Sequence, residues 1–304
     1  GHDAVDWVVV VLVFLGEDRI NGKANAGLCS RRPIPSYVER ISVNLQTPTF
    51  LPVTFLVLVL LISGGVLRGD ETPRVQKGPG WYKGDLHMHS NFSGDSEVTV
   101  ASVIAGAEKA GLDFIALTDH SRVMRQWKDS DYRSQKLTLL FGAEWTVNRG
   151  TSGTGHASIW ANREINWELI QPTLGNYSLG DSNTSDIKKA IEVAHSLRTA
   201  DTEILVGINH PNGPKWNFPF DASIGADCME VWNGKWTDHD YKSLSDQYHE
   251  FLSRGYRLTI NGGSDSHNAQ GIGTPTTWVY AQSSSGLDIL RSLKKGRTFI
   301  SQSV

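Results

Sequence analysis

The sequence has very little cysteine. Cys29 and Cys228 are the only two cysteines among 304 residues, and no Cys-x-x-Cys pair occurs. Two thiols so far apart support neither a disulfide framework nor a thiolate metal site. We therefore expect Cys228 to pack as a small apolar residue, and nitrogen and oxygen atoms to be the ligands of any bound metal.

The sequence also lacks a strong charge of one sign. Its net charge is −3, which gives no electrostatic reason to expect nucleic acid as the main partner. No Gly-x-Ser-x-Gly motif is present, so a serine nucleophile on a strand-to-helix turn is not indicated. Hydrophobic residues make up 39% of the chain and charged residues 20%, which is typical of a globular protein.

One long apolar run lies at residues 50–66, after Arg31, Arg32 and Arg40. A basic segment, an apolar core and a small-residue end such as Ser63-Gly64-Gly65 are the order found in a secretory signal peptide. A retained membrane anchor is the alternative, although 17 residues are close to the minimum for a span. The protein is expected to be secreted or periplasmic in the first case. In the second, its domain is anchored outside the cytoplasm.

The apolar run divides the chain into four predicted parts. Residues 1–49 fit neither a signal nor a domain. Because the first methionine is Met88, our hypothesis is that this extension is an artefact of the gene boundary. Residues 50–66 are the signal peptide or anchor, and residues 67–80, which are polar and rich in Gly and Pro, are a linker. Residues 81–304 form the predicted globular domain.

Strand and helix patterns alternate through the predicted domain. Residues 99–110 predict a helix, with Thr99 as N-cap and Gly111 as the stop. Strands are predicted at residues 82–89 and 113–118, and at the later runs 204–209, 276–281 and 298–301. This alternation favours an α/β fold with a mainly parallel sheet, and the length of the domain suits a barrel.

Six of the ten histidines follow the ends of predicted strands. They are His87, His89, His120, His156, His210 and His267. Neutral imidazole and carboxylate are ligands that Zn, Fe and Mn accept. Loops at one end of a barrel bring such residues together. The pattern therefore predicts a metal site suited to hydrolysis.

The His-x-His pair is the first part of this pattern. His87 and His89 lie two residues apart on a predicted strand, so both imidazoles face one side and can reach one ion. The pair alone is a weak signal, since two histidines can also line a polar cleft. Asp95, the Thr118-Asp119-His120 strand end and the later Asp265-Ser266-His267 segment strengthen the metal interpretation.

The sequence resembles the PHP (polymerase and histidinol phosphatase) superfamily over roughly residues 81–301. The segments that carry the resemblance are GDLHMHSNFSGDS, GLDFIALTDHS, FGAEWT, GHASIWA, INHPNG, GGSDSH, TPTTWVYA and LKKGRTFIS. Within that superfamily the sequence is similar to the carbaryl-hydrolase-like branch, often called CehA/McbA-like metallohydrolases. The resemblance implies a distorted seven-stranded β/α (TIM-like) barrel with metals at the C-terminal ends of its strands.

The resemblance also implies a site for two or three divalent ions, which would be Zn, Mn or Fe. The implied ligands are His87, His89, Glu144 and Asp265 for the first ion, Glu144, His156 and His210 for the second, and Asp95, His120 and His267 for the third. Asp85 and Asp119 are predicted to lie behind these ligands, where each would orient an imidazole.

The implied chemistry is hydrolysis by a hydroxide that bridges two ions, which would lie about 3.5–4 Å apart. The predicted catalytic residues, acting through that hydroxide, are Glu144, Asp265 and His210. The predicted substrate-binding residues are Arg122, Arg125 and Lys215, with ordinary solvated loop charges as the alternative.

Three functions follow from these features. A phosphoesterase is the first, and a carbamate, ester or amide hydrolase of the carbaryl-hydrolase type is the second. A non-catalytic metal-binding module is the third, and the intact ligand set argues against it. The expected partner is a small-molecule substrate rather than nucleic acid. Membrane contact is expected only through the N-terminal segment.

Overall fold

The computed structural model describes residues 77–120, 126–148, 154–170, 184–213 and 222–304. The strands in these residues are β1 (Gly80–Asp85), β2 (Phe114–Leu117), β3 (Thr138–Asn148), β4 (Thr154–Ala161), β5 (Ile204–Asn209), β6 (Cys228–Asn233), β7 (Thr259–Gly263), β8 (Thr276–Ala281) and β9 (Thr298–Ser301). They form one sheet in the spatial order β7-β6-β5-β4-β3-β2-β1-β8-β9. The predicted α/β barrel is confirmed, with nine described strands where seven were expected.

Side chains bring the two edges of the sheet together. The Thr277 hydroxyl on β8 donates to the Gly262 carbonyl on β7 at 2.7 Å and accepts from the Gly262 N–H at 2.9 Å. The Thr298 hydroxyl on β9 donates to the Ile260 carbonyl at 3.2 Å. The sheet is therefore a nearly closed barrel, joined at this seam by hydroxyl groups instead of a backbone ladder.

The helices of the described residues surround or cap the sheet. They are α1 (Val100–Lys109), α2 (Trp167–Ile170), α3 (Thr184–Ser196), α4 (Asp238–Lys242), α5 (His249–Ser253) and α6 (Gly286–Lys294), with 3-10 turns at Gln126–Lys128 and Ala222–Ile224 and a π-helical turn at Ser243–Tyr248. None of these helices has the length and apolarity needed to cross a membrane. The predicted extension, the signal or anchor and most of the linker lie outside the described residues.

Helix α1 shows how the sequence determines a local element. The Thr99 hydroxyl accepts a hydrogen bond from the Ser102 N–H, which caps the first turn. Val103 and Ala107, four residues apart, are buried on one face of the helix. Gly111, with φ of 73°, takes the left-handed conformation that ends it. The predicted helix is confirmed to within one residue at each end.

The prediction of a mainly parallel sheet is wrong, because half of the strand pairs are antiparallel. The pairs β1–β2, β2–β3, β5–β6 and β6–β7 are parallel. The pairs β3–β4, β4–β5, β1–β8 and β8–β9 are antiparallel. Residues 149–153 alone join β3 to β4, and a parallel neighbour would need a crossover of a dozen or more residues.

The barrel interior is filled by apolar side chains below its polar end. Cys228 lies fully buried in a cluster of these apolar side chains, as predicted from the sequence. Leu290 and Leu293 of α6 pack into the same cluster. On β5, a Cβ added at Gly207 would lie 2.5 Å from the Trp160 ring, so the indole fits only beside glycine. Asn209, two residues further on, shares the inward side of β5 and reaches the polar end.

A network of ion pairs lies at the opposite end of the barrel, just before β6. Asp227 accepts hydrogen bonds from Arg198 at 2.7 and 2.8 Å and from the Val206 N–H at 2.9 Å. The ring of His195 lies 2.8 Å from the same carboxylate. Burial raises the pKa of Asp227, but His195 and Arg198 outweigh it and hold the pKa below its usual value.

Replacing Asp227 by alanine is expected to lower the free energy of unfolding by about 3 kcal/mol, because Arg198 and His195 lose a shared carboxylate in a largely buried position. The loss should lie at the lower end for a broken buried pair, since Arg198 keeps its contact with Glu203. A depressed carboxyl pKa adds stability at neutral pH that is lost on acidification below about pH 3.9. The variant should therefore lose less stability than the wild type over that acid range. Urea unfolding followed by circular dichroism at pH 7 and pH 3 measures both effects, and equal stability at pH 7 would contradict the prediction.

Candidate metal centre

All nine side chains predicted as metal ligands belong to the described residues, and the fold brings them to one end of the barrel. His87, His89 and Asp95 follow β1, His120 follows β2, Glu144 lies on β3, His156 on β4, His210 follows β5, and Asp265 and His267 follow β7. Because β4 runs antiparallel to β3, His156 reaches this end from the start of its strand.

The His-x-His segment lies beyond the strand that was predicted to contain it. Strand β1 ends at Asp85, and Met88 forms only an isolated bridge with Ser266. The Asp265 N–H donates to the His87 carbonyl at 2.8 Å, and the His89 N–H donates to the Ser266 carbonyl at 2.9 Å. The two histidines are therefore held against the segment that carries Asp265.

Glu144 lies at the centre of the cluster and is 1% exposed. Five imidazole nitrogens surround its two oxygens. Oε1 lies 3.0 Å from His156 Nδ1, 3.2 Å from His87 Nε2 and 3.3 Å from His210 Nε2. Oε2 lies 3.3 Å from His120 Nδ1 and 3.4 Å from His89 Nε2. The Asn209 side-chain amide also donates to Oε1 at 2.7 Å. One carboxylate thus contacts residues from all three predicted ligand sets.

The electrostatics of the cluster keep its carboxylates ionised. Burial opposes the charge of Glu144, but His156 and His87 outweigh it and hold the pKa of the carboxyl well below its usual range. Burial likewise opposes the charge of Asp265, and His87 and His89 hold its pKa below the usual range. One buried and one partly buried negative charge thus lie among imidazoles, an environment that attracts cations.

Several buried polar atoms of the cluster have no hydrogen-bond partner. They are His87 Nε2, His89 Nε2, His120 Nδ1, His210 Nδ1 and Glu144 Oε2. Leaving such atoms unpaired is costly, so each calls for an explanation. Lone pairs of imidazole and carboxylate that converge without hydrogen bonds match the donor set of divalent Zn, Mn or Fe. The residues therefore fit metal ions.

Four overlapping groups could each hold an ion, with all ligand atoms of a group within 4.8 Å of one another. They are His89, Asp95, His120 and His267; His87, His89 and Glu144; His87, His210 and Glu230; and His120, Glu144 and His156. The first group contains the complete set predicted for a third ion. The last group adds His120 to two residues that were predicted for the second ion.

The cluster is open to solvent on one side. Asp95 is 45% exposed and His267 34% at their side chains, whereas His87 and Glu144 are buried. Asp95 Oδ2 lies 3.1 Å from His267 Nε2 and 3.3 Å from His120 Nε2. A substrate would therefore approach over the Asp95 side of the cluster.

Unusual backbone geometry also concentrates here. Within the described part of the chain, three residues other than glycine have positive φ: His210 at 23°, Asp265 at 50° and Ala269 at 58°. Two of the three are predicted ligands. Such strain persists only where neighbouring contacts enforce it, and it is common at functional sites.

Asp85 and Asp119 contact backbone N–H and hydroxyl groups, and Asp85 also accepts from the His87 N–H at 3.2 Å. That each of them orients an imidazole stays a prediction. Asp85 accepts from the N–H groups of Ser264 at 3.1 Å and Gly273 at 2.8 Å. Asp119 accepts from the Ser90 hydroxyl at 2.8 Å. Burial raises the pKa of each carboxyl to about 6. Asp119 directly precedes His120, and adjacent side chains in extended backbone point to opposite sides.

Two contacts of the imidazole rings were not predicted from the sequence. The Glu230 carboxylate lies 3.0 Å from His87 Nδ1, and the Ser93 hydroxyl lies 2.9 Å from His89 Nδ1. Glu230 is the only charged residue of the strand segment CMEVWN, and a lone carboxylate in a largely apolar strand could have indicated a functional role. Its histidine partner lies 143 positions away, so only the fold identifies the pair. The predicted substrate-binding residues Arg122, Arg125 and Lys215 lie outside the described residues.

A mixed α/β barrel with an imidazole–carboxylate cluster at one end defines a class of proteins able to bind divalent metal. A family model for the PHP domain matches residues 85–261, and a model described as PHP-associated matches residues 250–298. The chain therefore belongs to the PHP domain family. The resemblance seen in the sequence is confirmed at this level, and the carbaryl-hydrolase-like branch stays a prediction.

Several solved structures are similar to this chain, among them the following three. A two-domain protein from Bacteroides vulgatus, described as containing a predicted PHP-like metal-dependent phosphoesterase, is 19% identical, with 77% of this chain and 68% of that chain covered and a TM-score of 0.47. A candidate metal-dependent phosphoesterase from Bifidobacterium adolescentis is 17% identical, with 70% and 96% covered and a TM-score of 0.46. A lesion-specific endonuclease from Pyrococcus furiosus is 15% identical, with 73% and 58% covered and a TM-score of 0.51. No curated protein matches the sequence.

Proposed function

We propose that this protein is a metal-dependent hydrolase that acts on phosphoesters. The observation that carries the proposal is Glu144, a buried and ionised carboxylate with five imidazole nitrogens within 3.4 Å of its oxygens. Membership of the PHP domain family supports it, as do the similar proteins described as metal-dependent phosphoesterases. The proposed substrate is a small molecule.

We assign two or three divalent ions, Zn, Mn or Fe, to the nine predicted ligands. Bound ions of this kind lower the pKa of water and polarise the attacked group. Glu144 contributes the shared negative charge, and Asn209 fixes one of its oxygens by a hydrogen bond of 2.7 Å. Asp265 lies 3.1 Å from His89 Nε2 and His210 lies 3.3 Å from Glu144 Oε1, and both residues have positive φ. The exposed Asp95 and His267 leave room for a substrate.

The competing proposal within the same fold is a carbamate, ester or amide hydrolase. The similarity of the sequence segments to the carbaryl-hydrolase-like branch favours it, and the same residues would serve both reactions. A non-catalytic metal-binding module is less well supported, because all nine predicted ligand positions carry an imidazole or a carboxylate that contacts the cluster.

Turnover of an aryl phosphate is expected to exceed turnover of the matching aryl carbamate by the metal-loaded protein. The comparison uses p-nitrophenyl phosphate and a p-nitrophenyl carbamate, which release the same chromophore, with kcat/KM measured for each. Activity on the carbamate alone would replace the phosphoesterase with the competing proposal. No turnover of either compound, or of a broad panel of phosphoesters and amides, by metal-loaded protein would favour the binding module.

We also propose that residues 81–304 form the catalytic domain and that residues 50–66 direct it out of the cytoplasm, as a cleaved signal peptide. A retained anchor is the alternative. N-terminal sequencing of protein recovered from the producing cell distinguishes them, because cleavage would place the mature N-terminus shortly after the small residues Ser63-Gly64-Gly65.

A further inference from the structure

Glu230 is a buried carboxylate between two segments that carry predicted ligands. It lies on β6 and is 1% exposed. Its Oε1 lies 3.0 Å from His87 Nδ1. Its Oε2 accepts hydrogen bonds from the His210 N–H at 3.0 Å and from the Asn233 side-chain amide at 3.1 Å. Both carboxylate oxygens therefore make polar contacts, and these link β6 to the segments that carry His87 and His210.

This arrangement decides which nitrogen of His87 carries a proton. A carboxylate can only accept hydrogen bonds, so the hydrogen between Glu230 and His87 belongs to Nδ1. A histidine that binds a metal must be neutral, and in that form the lone pair of His87 lies on Nε2, which is buried and has no hydrogen-bond partner. That atom lies 3.2 Å from Glu144 Oε1 and 3.4 Å from Asp265 Oδ1, so the lone pair faces the centre of the cluster.

We propose that Glu230 is a positioning residue that holds His87 in the Nδ1-protonated form, with Nε2 directed at the metal centre. The proposal rests on the proposed metal-dependent function, in which Nε2 is the ligand atom. Glu230 also fixes the backbone of His210, whose φ is 23°. Glu230 contacts Nδ1 of His87, whereas Glu144 lies beside Nε2 of the same ring, so we assign Glu230 to the support of this ligand and not to an ion.

Asn233 extends the same network to another predicted ligand. Its side-chain amide donates to Glu230 Oε2 at 3.1 Å and to Asp265 Oδ2 at 3.2 Å. The amide group of Asn233 therefore links the carboxylate of Glu230, beside His87 Nδ1, with the carboxylate of Asp265, near His87 Nε2. Gly263 makes the close packing possible, because a Cβ there would lie 2.7 Å from Glu230 Oε1 and 2.3 Å from His87 Cβ.

Substitution of Glu230 by glutamine tests this role sharply. The amide nitrogen of glutamine must face either His87 or the donors of His210 and Asn233. The backbone N–H of His210 cannot change its role, whereas the imidazole can move its proton to Nε2. Glutamine therefore favours the form of His87 that blocks the ligand atom. We expect zinc affinity to fall about 10- to 100-fold, with the number of ions bound at saturation unchanged.

The experiment uses the full chain, with 15N-labelled histidine and zinc as the probe. Nuclear magnetic resonance of the zinc-loaded wild type should show the His87 proton on Nδ1, and competition with a chromophoric chelator gives the affinity of each variant. The matched control is Glu203→Gln, a buried glutamate near Arg198 and Lys294 at the opposite end of the barrel, which should leave zinc affinity unchanged.

Three results would overturn the role of Glu230: a wild-type His87 protonated on Nε2, zinc affinity within twofold of wild type in Glu230→Gln, or loss of one bound ion at saturation, which would make Glu230 a ligand. The wild-type spectrum decides the question even if the variant fails to fold. Failure of the wild type to bind zinc, manganese or iron would instead reject the proposed function. Glu230 would then have no metal ligand to support, so its proposed role would fall together with the proposed function.

Discussion

Replacing Glu144 by alanine is expected to abolish hydrolysis and to lower the metal content of the purified protein. Substituting residues that only support metal ligands typically costs 10- to 100-fold in affinity or activity, so loss of the shared carboxylate should lower kcat/KM by more than about 100-fold. The physical reason is that five imidazoles converge on Glu144 and lose their common negative partner. Elemental analysis and turnover of p-nitrophenyl phosphate measure the two losses.

A second substitution separates charge from shape at this position. Glu144→Gln keeps the size of the side chain and can still accept the hydrogen bond from Asn209, but it removes the charge. It should therefore lose metal and activity nearly as far as alanine does. Glu203→Gln, which also neutralises a buried glutamate, should retain both properties. Full activity in either Glu144 variant would refute the shared role of this carboxylate.

Much of the fold could be predicted because its elements have strong local signals. Strands β5, β8 and β9 have the predicted bounds, since each is a short apolar run between turn residues. Helix α1 was predicted from its N-cap and its terminal glycine. Pairing directions were harder to predict. Nothing local in β4 shows that it runs against both neighbours, because that depends on the short β3–β4 connection and on where β5 lies.

The candidate site could be predicted as a set of residues, but less well as a network. The nine candidate ligands were predicted from sequence segments, and the fold brings their side chains to one end of the barrel. Glu230 was missed because its partner His87 is distant in sequence. The two side chains meet only when the sheet closes into a barrel. Asp85 and Asp119 were assigned to imidazoles because of their neighbours in sequence, whereas their nearest donors belong to loops 29 or more positions away.

Removal of the metals is expected to proceed in two stages, because the two sides of the cluster differ in exposure. Asp95 is 45% exposed and His267 34%, so water and a chelator can reach an ion held there. His87, His89 and Glu144 are buried, so ions bound by them can leave only after the surrounding structure opens locally. Treatment with a chelator should therefore release one ion rapidly and the remainder slowly, as followed by the absorbance of a coloured chelator complex.

Substitution of Asp95 identifies the fast stage. Asp95→Asn should remove the rapid phase and lower the number of bound ions by one, while the slow phase remains. Asp246→Asn, which neutralises an exposed carboxylate in the π-helical turn, should keep both phases. Zinc at about 100 times its dissociation constant should stabilise the wild type by about 2.7 kcal/mol per site, which thermal unfolding detects. A single release phase, unchanged by Asp95→Asn, would contradict an exposed outer ion, since solvent access at Asp95 would then have no effect on the rate.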